Sequence, residues 1–172
     1  MPIITIMQGL PASGKSTIVQ EKYVPAGYQV LCRNDLRYSM GIPCGTMKLE
    51  VEPTITSILD AMLEAHINRG LNIVLDDTNV NYRRFPSLLE RLLRLTHTSK
   101  HGYTICLHPL DVSPEECKHR YRKNGITFPD EVIDKMAKDY EQTKIWLDEE
   151  FLNWYKMINC FTKILLVEAK LV

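Results

Sequence analysis

Gly9-Leu10-Pro11-Ala12-Ser13-Gly14-Lys15-Ser16-Thr17 is the stretch on which the reading of this chain turns. An apolar run, Ile3 to Met7, precedes it and has the composition of a buried strand. Thr17 to Tyr23 follows and can continue as a helix. Strand, glycine-rich turn and helix form the context in which the pattern GxxxxGK[ST] holds nucleotide phosphates. Gly9 and Gly14 permit tight or left-handed backbone geometry and close approach of an anion. The amides from Ala12 and Ser13 to Ser16 can then turn inward as a nest. Lys15 is expected to reach the β- and γ-phosphates, Ser16 to place its hydroxyl on Mg2+, and Thr17 to lie near the base of the nucleotide site.

Working outward, the 172 residues suit one domain, and residues 1–172 are expected to form one. Basic and acidic residues balance at 21 each, so no whole-molecule basic field is present, although a local groove is not excluded. No apolar run approaches the roughly 20 residues of a membrane helix. The glycine turn and Lys15 interrupt the first apolar run, so no leader peptide is read and the cytoplasm is the expected location. Cys32, Cys44, Cys106, Cys117 and Cys160 are odd in number and widely spaced, which gives neither a disulfide framework nor a zinc motif.

Gln29 to Cys32 reads as a second strand that delivers Arg33-Asn34-Asp35-Leu36-Arg37 to its carboxyl end, where ligands bind in open α/β sheets. Asn34 and Arg37 share a helical face, and this cluster is assigned to acceptor binding. Glu52-Pro53 opens a helix whose stripe Ile55, Ile58, Leu59, Met62, Leu63 and Ile67 is expected to face the core, with Gly70 as its cap. Leu71 to Leu75 is a third strand ending in Asp76-Asp77-Thr78-Asn79. A carboxylate there can hold the Mg2+ shell, and spacing leaves Asp76 and Asp77 both open. A helix is expected from Asn81, and a fourth strand over Tyr103 to Leu107.

Ser113-Pro114-Glu115-Glu116 then predicts an N-cap, a first-turn proline and a capping box. The helix that follows carries Lys118, Arg120, Arg122 and Lys123 and ends at Asn124-Gly125. Residues 114–129 read as a lid whose arginines close over a triphosphate, since arginine presents a rigid fork to phosphate oxygens. Pro129 is placed first in a long helix reaching about Tyr155, and Phe161 to Val167 is a final strand. About five strands alternating with helices predict an α/β fold, a parallel sheet with helices on both faces.

Four of these segments together resemble the kinase domain of phage polynucleotide 5'-hydroxyl kinase and its P-loop kinase relatives. They are Gly9 to Thr17, Arg33 to Arg37, Asp77-Thr78-Asn79-Val80-Asn81 with Arg83-Arg84, and the region from Glu116 to Met136. The resemblance implies ATP and Mg2+ as cofactors and a nucleic-acid hydroxyl as acceptor, usually a 5'-hydroxyl of DNA or RNA. It implies Lys15 and Ser16 at the donor, Arg37 on the acceptor's phosphate, and Asp77, Thr78 and Asn79 along the acceptor and metal side. Arg122 is the implied lid arginine, with Arg120 close behind. Two positions depart from the pattern. Asn34 stands where the family has its general base, with Asp35 adjacent, and Asn124 precedes Gly125 where the family often has arginine. No phosphatase domain follows in this sequence, so a stand-alone kinase is expected. A hydroxymethyl group on a DNA pyrimidine, the acceptor of a related phage activity, or a nucleoside or other small alcohol are the alternative acceptors. A non-catalytic nucleotide-dependent module is the reading from another class. The resemblance hints at a bacteriophage origin and hence a host cytoplasm.

Overall fold

Each short apolar run that ends in a polar, ligand-type residue becomes a strand of one parallel sheet. The structure, a computed structural model, describes all residues except 44, 45, 47, 127, 152, 154–162 and 166–172, and for 163–165 it describes the backbone alone. The chain runs β1 (Ile3–Gly9), α1 (Lys15–Ile18), β2 (Gln29–Leu31), α2 (Arg33–Ser39), α3 (Glu52–Asn68) and β3 (Ile73–Leu75). It continues through α4 (Phe85–Thr98), β4 (Thr104–Leu110), α5 (Pro114–Lys123), α6 (Asp130–Glu149) and β5 (Lys163–Leu165). The strand order is β2-β3-β1-β4-β5. All four pairings are parallel. This is the α/β parallel-sheet fold expected from the sequence.

Alternation along the strands assigns the two faces. Ile4 and Ile6 of β1, Ile73 and Leu75 of β3, and Ile105 and Leu107 of β4 pack on one face. They meet Leu63 and Ile67 of α3 and Phe85, Leu89, Leu92 and Leu93 of α4. Ile58, expected in the α3 stripe, is exposed instead. Met7, Val74 and Leu110 belong to a second cluster with Val19. A third cluster joins Leu10, inside the glycine-rich stretch, to Cys117 of α5 and Ile133 of α6. That contact fixes the loop beneath the two C-terminal helices.

Several boundaries shift for local reasons. α1 gives way after Ile18 to one wide π-type turn, Val19–Tyr23. The third strand begins at Ile73 rather than Leu71, because Leu71 N–H still caps α3 by bonding the His66 carbonyl. The fourth strand runs three residues further, to Leu110, paired with β1 as far as Gly9. α4 starts at Phe85, after a turn in which Asn81 accepts Arg84 N–H on its side chain and Phe85 N–H on its carbonyl. Pro129 is the residue before α6, not its first. The expected capping box is half made. Ser113 accepts Glu116 N–H at 3.2 Å, but the Glu116 carboxylate turns to Arg120 instead of returning to the cap. Trp154, Tyr155, Cys44 and Cys160, and the outer parts of the final predicted strand, lie outside the described residues.

Gly9 carries the sharpest backbone requirement. Its φ is +150°, and a Cβ there would stand 2.9 Å from both the Leu110 carbonyl oxygen and Ser13 Oγ. Gly27 has φ +80° with nothing within 4 Å of its would-be Cβ. Gly9→Ala is therefore expected to cost about 1–3 kcal/mol, and Gly27→Ala clearly less, as read by urea denaturation of both variants. Equal losses would show that strain alone, without the clash, governs Gly9.

Candidate functional site

Three strand ends place the polar residues side by side. β3 lies between β2 and β1 in the sheet, so its terminal Asp76-Asp77 stands between the Arg33–Arg37 helix start and the Gly9–Thr17 loop. The loop is tied to the β3 end directly, by Gly9 N–H donating to the Thr78 carbonyl at 3.1 Å.

Lys15 is 8% exposed. Its ammonium is folded into the loop, donating to the carbonyls of Gly9 (3.0 Å) and Leu10 (2.7 Å) and to Ser13 Oγ (3.4 Å). Burial pulls it down from its ordinary 10.5 to about 8, opposed chiefly by the Asp76 carboxylate. Ala12 adopts φ +60°, which a glycine would take at lower cost, and Gly14 adopts φ +103°. Ser16 and Thr17 are exposed at the mouth of a cleft of about 410 Å³, lined also by Ala12, Gly14, Lys15, Arg120, Lys123 and Asn124.

Asp76 and Asp77 have separate surroundings. Asp76 is 7% exposed and hydrogen-bonds with Ser16. Burial raises its carboxyl above the usual range, against that bond and the Lys15 charge. Its Oδ1 is buried without a hydrogen-bond partner. An orphaned carboxylate oxygen beside an exposed serine hydroxyl suits a hard, oxygen-preferring cation such as Mg2+. Among the described residues no cluster of three or more His, Cys, Asp or Glu forms a protein-only metal cage. Asp77 points the other way. It accepts the Arg33 backbone N–H and lies 3.8 Å from Arg33 Nε. Burial pushes its carboxyl up, with Arg33 opposing.

On the β2 side, Arg37 donates Nε and Nη2 to the two oxygens of Glu52 at 2.7 and 2.9 Å, and Nη1 to Asn34 Oδ1 at 2.7 Å. Arg33 reaches Thr56 Oγ1 at 3.0 Å and stands 3.6 Å from Glu52. Asn34 is thus occupied in orienting Arg37. Asp35 is exposed in the first turn of α2, and no described residue forms an ion pair with it.

The two arginines of α5 expected at the triphosphate diverge. Arg120 Nη1 donates to the carbonyls of Ala12 and Ser13, both at 3.2 Å, while its Nε pairs with Glu116. Arg122 is 67% exposed and pairs with Asp130 across the turn that leads to α6. In this conformation Arg120, not Arg122, stands at the loop. Asn79 serves the scaffold. It takes φ +48°, and its amide donates to the Met7 and Asp77 carbonyls. Thr78 meets the loop through its backbone carbonyl. The sequence marks Glu52 only as a helix start and does not mark Thr56 at all. Their contact with α2 closes across the irregular stretch between α2 and α3, whose composition carries no register.

A family model described as an AAA domain matches residues 4–143. Among solved structures, one chain of the Pnkp1/Rnl/Hen1 RNA repair complex is similar at 23% identity and a TM-score of 0.68, over 83% of this chain and 45% of that one. A second structure of the complex gives 24% and 0.55, over 69% and 38%. A candidate kinase from Chloroflexus aurantiacus gives 18% and 0.59, over 77% and 74%. The chain therefore spans less than half the length of the two repair-complex chains. No curated protein matches it. Among the described residues, no helix is long and apolar enough to cross a membrane.

The Lys15 environment yields a stability prediction. Its folded-state value lies below the unfolded one, so the unfolded chain holds the extra proton between pH 8 and 10.5. The penalty is complete below pH 8 and disappears above 10.5. Lys15→Met is expected to stabilise the ligand-free protein by about 1–3 kcal/mol at pH 7, and by less at pH 9.5. Urea denaturation at both values tests this, and a gain independent of pH would refer the effect to packing.

Proposed function

The chain belongs to the AAA domain family, and from that membership we propose that it is an ATP-dependent phosphotransferase with an alcohol acceptor, a hydroxyl of nucleic acid being the leading choice. The observation that carries this reading is the juxtaposition of two unlike ledges at one sheet edge. Lys15, Ser16 and Asp76 form a phosphate-and-cation ledge, and Asn34, Asp35 and Arg37 form a second polar ledge at the end of β2. A module that only binds nucleotide has no need of the second ledge. The fold shared with a chain of an RNA repair complex supports nucleic acid as the class of acceptor, and a 5'-hydroxyl of DNA or RNA is the acceptor that the sequence resemblance implies.

In this mechanism the amides of Gly14 to Ser16 and the Lys15 ammonium hold the donor phosphates, the Ser13 N–H being already donated to the Leu10 carbonyl at 3.1 Å. Lys15 exchanges the Gly9 and Leu10 carbonyls for phosphate oxygens when a nucleotide seats. Ser16 and Asp76 would hold Mg2+, which would offset the charge of the donor phosphates. Asp35, with Asn34 next to it, orients the acceptor hydroxyl and receives its proton. The acceptor oxygen bonds to the γ-phosphorus as the bond to the β,γ-bridging oxygen breaks, and ADP leaves. Arg120, at the loop, and Arg122, from the same helix, supply positive charge to the moving phosphoryl group. Thr78 and Asn79 shape the floor, and Asp77 holds the acceptor ledge through Arg33. Residues 114–129 are the covering segment of a single domain over residues 1–172.

A second acceptor class, a nucleoside or other uncharged alcohol, is favoured by a specific observation. Arg37, the expected grip on an acceptor phosphate, is already paired with Glu52 on two oxygens.

Transfer of γ-labelled phosphate from ATP with Mg2+ tests the proposal. The acceptors are 5'-hydroxyl DNA and RNA oligomers, end-blocked DNA carrying hydroxymethyluracil, and free nucleosides. Label in any of them is the expected result, and its site identifies the acceptor. Saturable ATP binding without transfer to any would favour a binding module. Lys15→Ala is expected to remove at least about 100-fold of turnover in a folded protein; near-normal turnover would remove Lys15 from its role. A seated phosphate raises the Lys15 pKa above its free value of about 8. ATP affinity is thus expected to hold below pH 8 and to fall above it, by up to about tenfold per pH unit. Lys15→Gln should flatten that profile in calorimetric titrations.

A further inference from the structure

Arg37 is not free charge waiting for an anion. Its side-on fork, Nε and Nη2, is closed by Glu52 at 2.7 and 2.9 Å, and Nη1 is engaged by Asn34 at 2.7 Å. Of five N–H groups, two are left over. The same Glu52 carboxylate stands 3.6 Å from Arg33, and Arg33 stands 3.8 Å from Asp77. Asp35 lies exposed on the same short helix. Two guanidinium groups are therefore faced by Glu52 and Asp77, with a third carboxylate beside them. The ledge offers oriented donors without excess positive charge.

We propose that Glu52 is a specificity-determining positioning residue of the acceptor ledge: it neutralises and aims Arg37 so that the ledge prefers an uncharged acceptor edge over a phosphate-bearing one. Glu52 acts through Arg37 and Arg33 and does not touch the reacting atoms. The arrangement persists across the working pH range, because the Arg37 bond holds the Glu52 carboxyl below its usual range and Arg37 is itself raised by the same bond. The groups are only partly buried, so a phosphate can approach, but it must compete with a carboxylate that already occupies the better fork. Thr56 joins the network without charge, accepting from Arg33 and donating to the Glu52 carbonyl. This inference deepens the second acceptor class of the proposed function, the uncharged alcohol, over the nucleic-acid acceptor, and rests on the placement of the acceptor ledge made there.

The test compares thymidine with thymidine 3'-monophosphate, which carry the same 5'-hydroxyl and differ by one phosphate. Their binding is measured by calorimetry on the full chain loaded with Mg2+ and the β,γ-imido analogue of ATP. Wild type is expected to bind thymidine in preference. Glu52→Gln keeps the shape and removes the charge, and it is expected to shift the affinity ratio at least tenfold toward the 3'-monophosphate. Thr56→Val loses a hydrogen bond of the same network and is expected to leave the ratio within twofold. Equal changes for both ligands in Glu52→Gln, a shift in the opposite direction, or binding of neither ligand to wild type would each overturn the inference. Phosphate transfer to the two acceptors is assayed in parallel with ATP. Loss of transfer with the binding shift intact would count against the kinase reading alone, whereas transfer with no shift would count against the role of Glu52 alone.

Discussion

A buried ammonium is the constraint around which the rest of the structure is arranged. Lys15 cannot lie under a protein surface unless something replaces its water, and the loop does so with two carbonyls and a hydroxyl. Carbonyls reach that position only if the chain reverses tightly, which accounts for Gly9 and for the left-handed Ala12 and Gly14. The loop needs an anchored floor, supplied by Leu10 beneath α5 and α6 and by the Thr78 carbonyl on Gly9 N–H. Asp76 supplies the opposite charge at the end of the neighbouring strand, itself disfavoured by burial. Two ionic groups that both lose hydration on folding contribute little to a ligand-free fold. Strained backbone and desolvated charge thus fall in one place, where neither favours stability.

The parallel sheet does the positioning. All strands point their carboxyl ends the same way, so residues far apart in sequence emerge along one edge. Ordering β2-β3-β1 puts the acidic pair between the arginine-rich turn and the phosphate loop. The two aspartates then separate by the alternation of a strand end. Asp76 turns to Ser16 and Lys15, and Asp77 turns to Arg33. Spacing along the chain could not decide between them, because both choices satisfy the same pattern.

Much of this was legible in the sequence. The strand-turn-helix context of Gly9 to Thr17, the apolar stripe of α3, Gly70 and Gly125 after their helices, and the Ser113 cap all depend on local chemistry, which a sequence displays. What was hidden depends on contacts between distant segments. The bidentate Glu52–Arg37 pair joins residues on two helices across an irregular stretch. The choice of Arg120 over Arg122 at the loop turns on a helical phase of two residues, which the basic run blurs. Asn79 reads as a polar residue at a ligand edge, yet its amide is consumed by the Met7 and Asp77 carbonyls, because a left-handed residue there must be held by its own side chain. The half-formed capping box has the same origin: Arg120 competes successfully for the Glu116 carboxylate.

The small cluster of Leu10, Cys117 and Ile133 also carries a mechanical meaning. Leu10 belongs to the phosphate loop, Cys117 to α5 and Ile133 to α6, and close packing leaves no slack between them. Leverage therefore runs in both directions. A tilt of the helical pair would press on the loop backbone, and a loop reshaped around an anion would pull on the pair. Loop and helical pair are geared together by three apolar side chains.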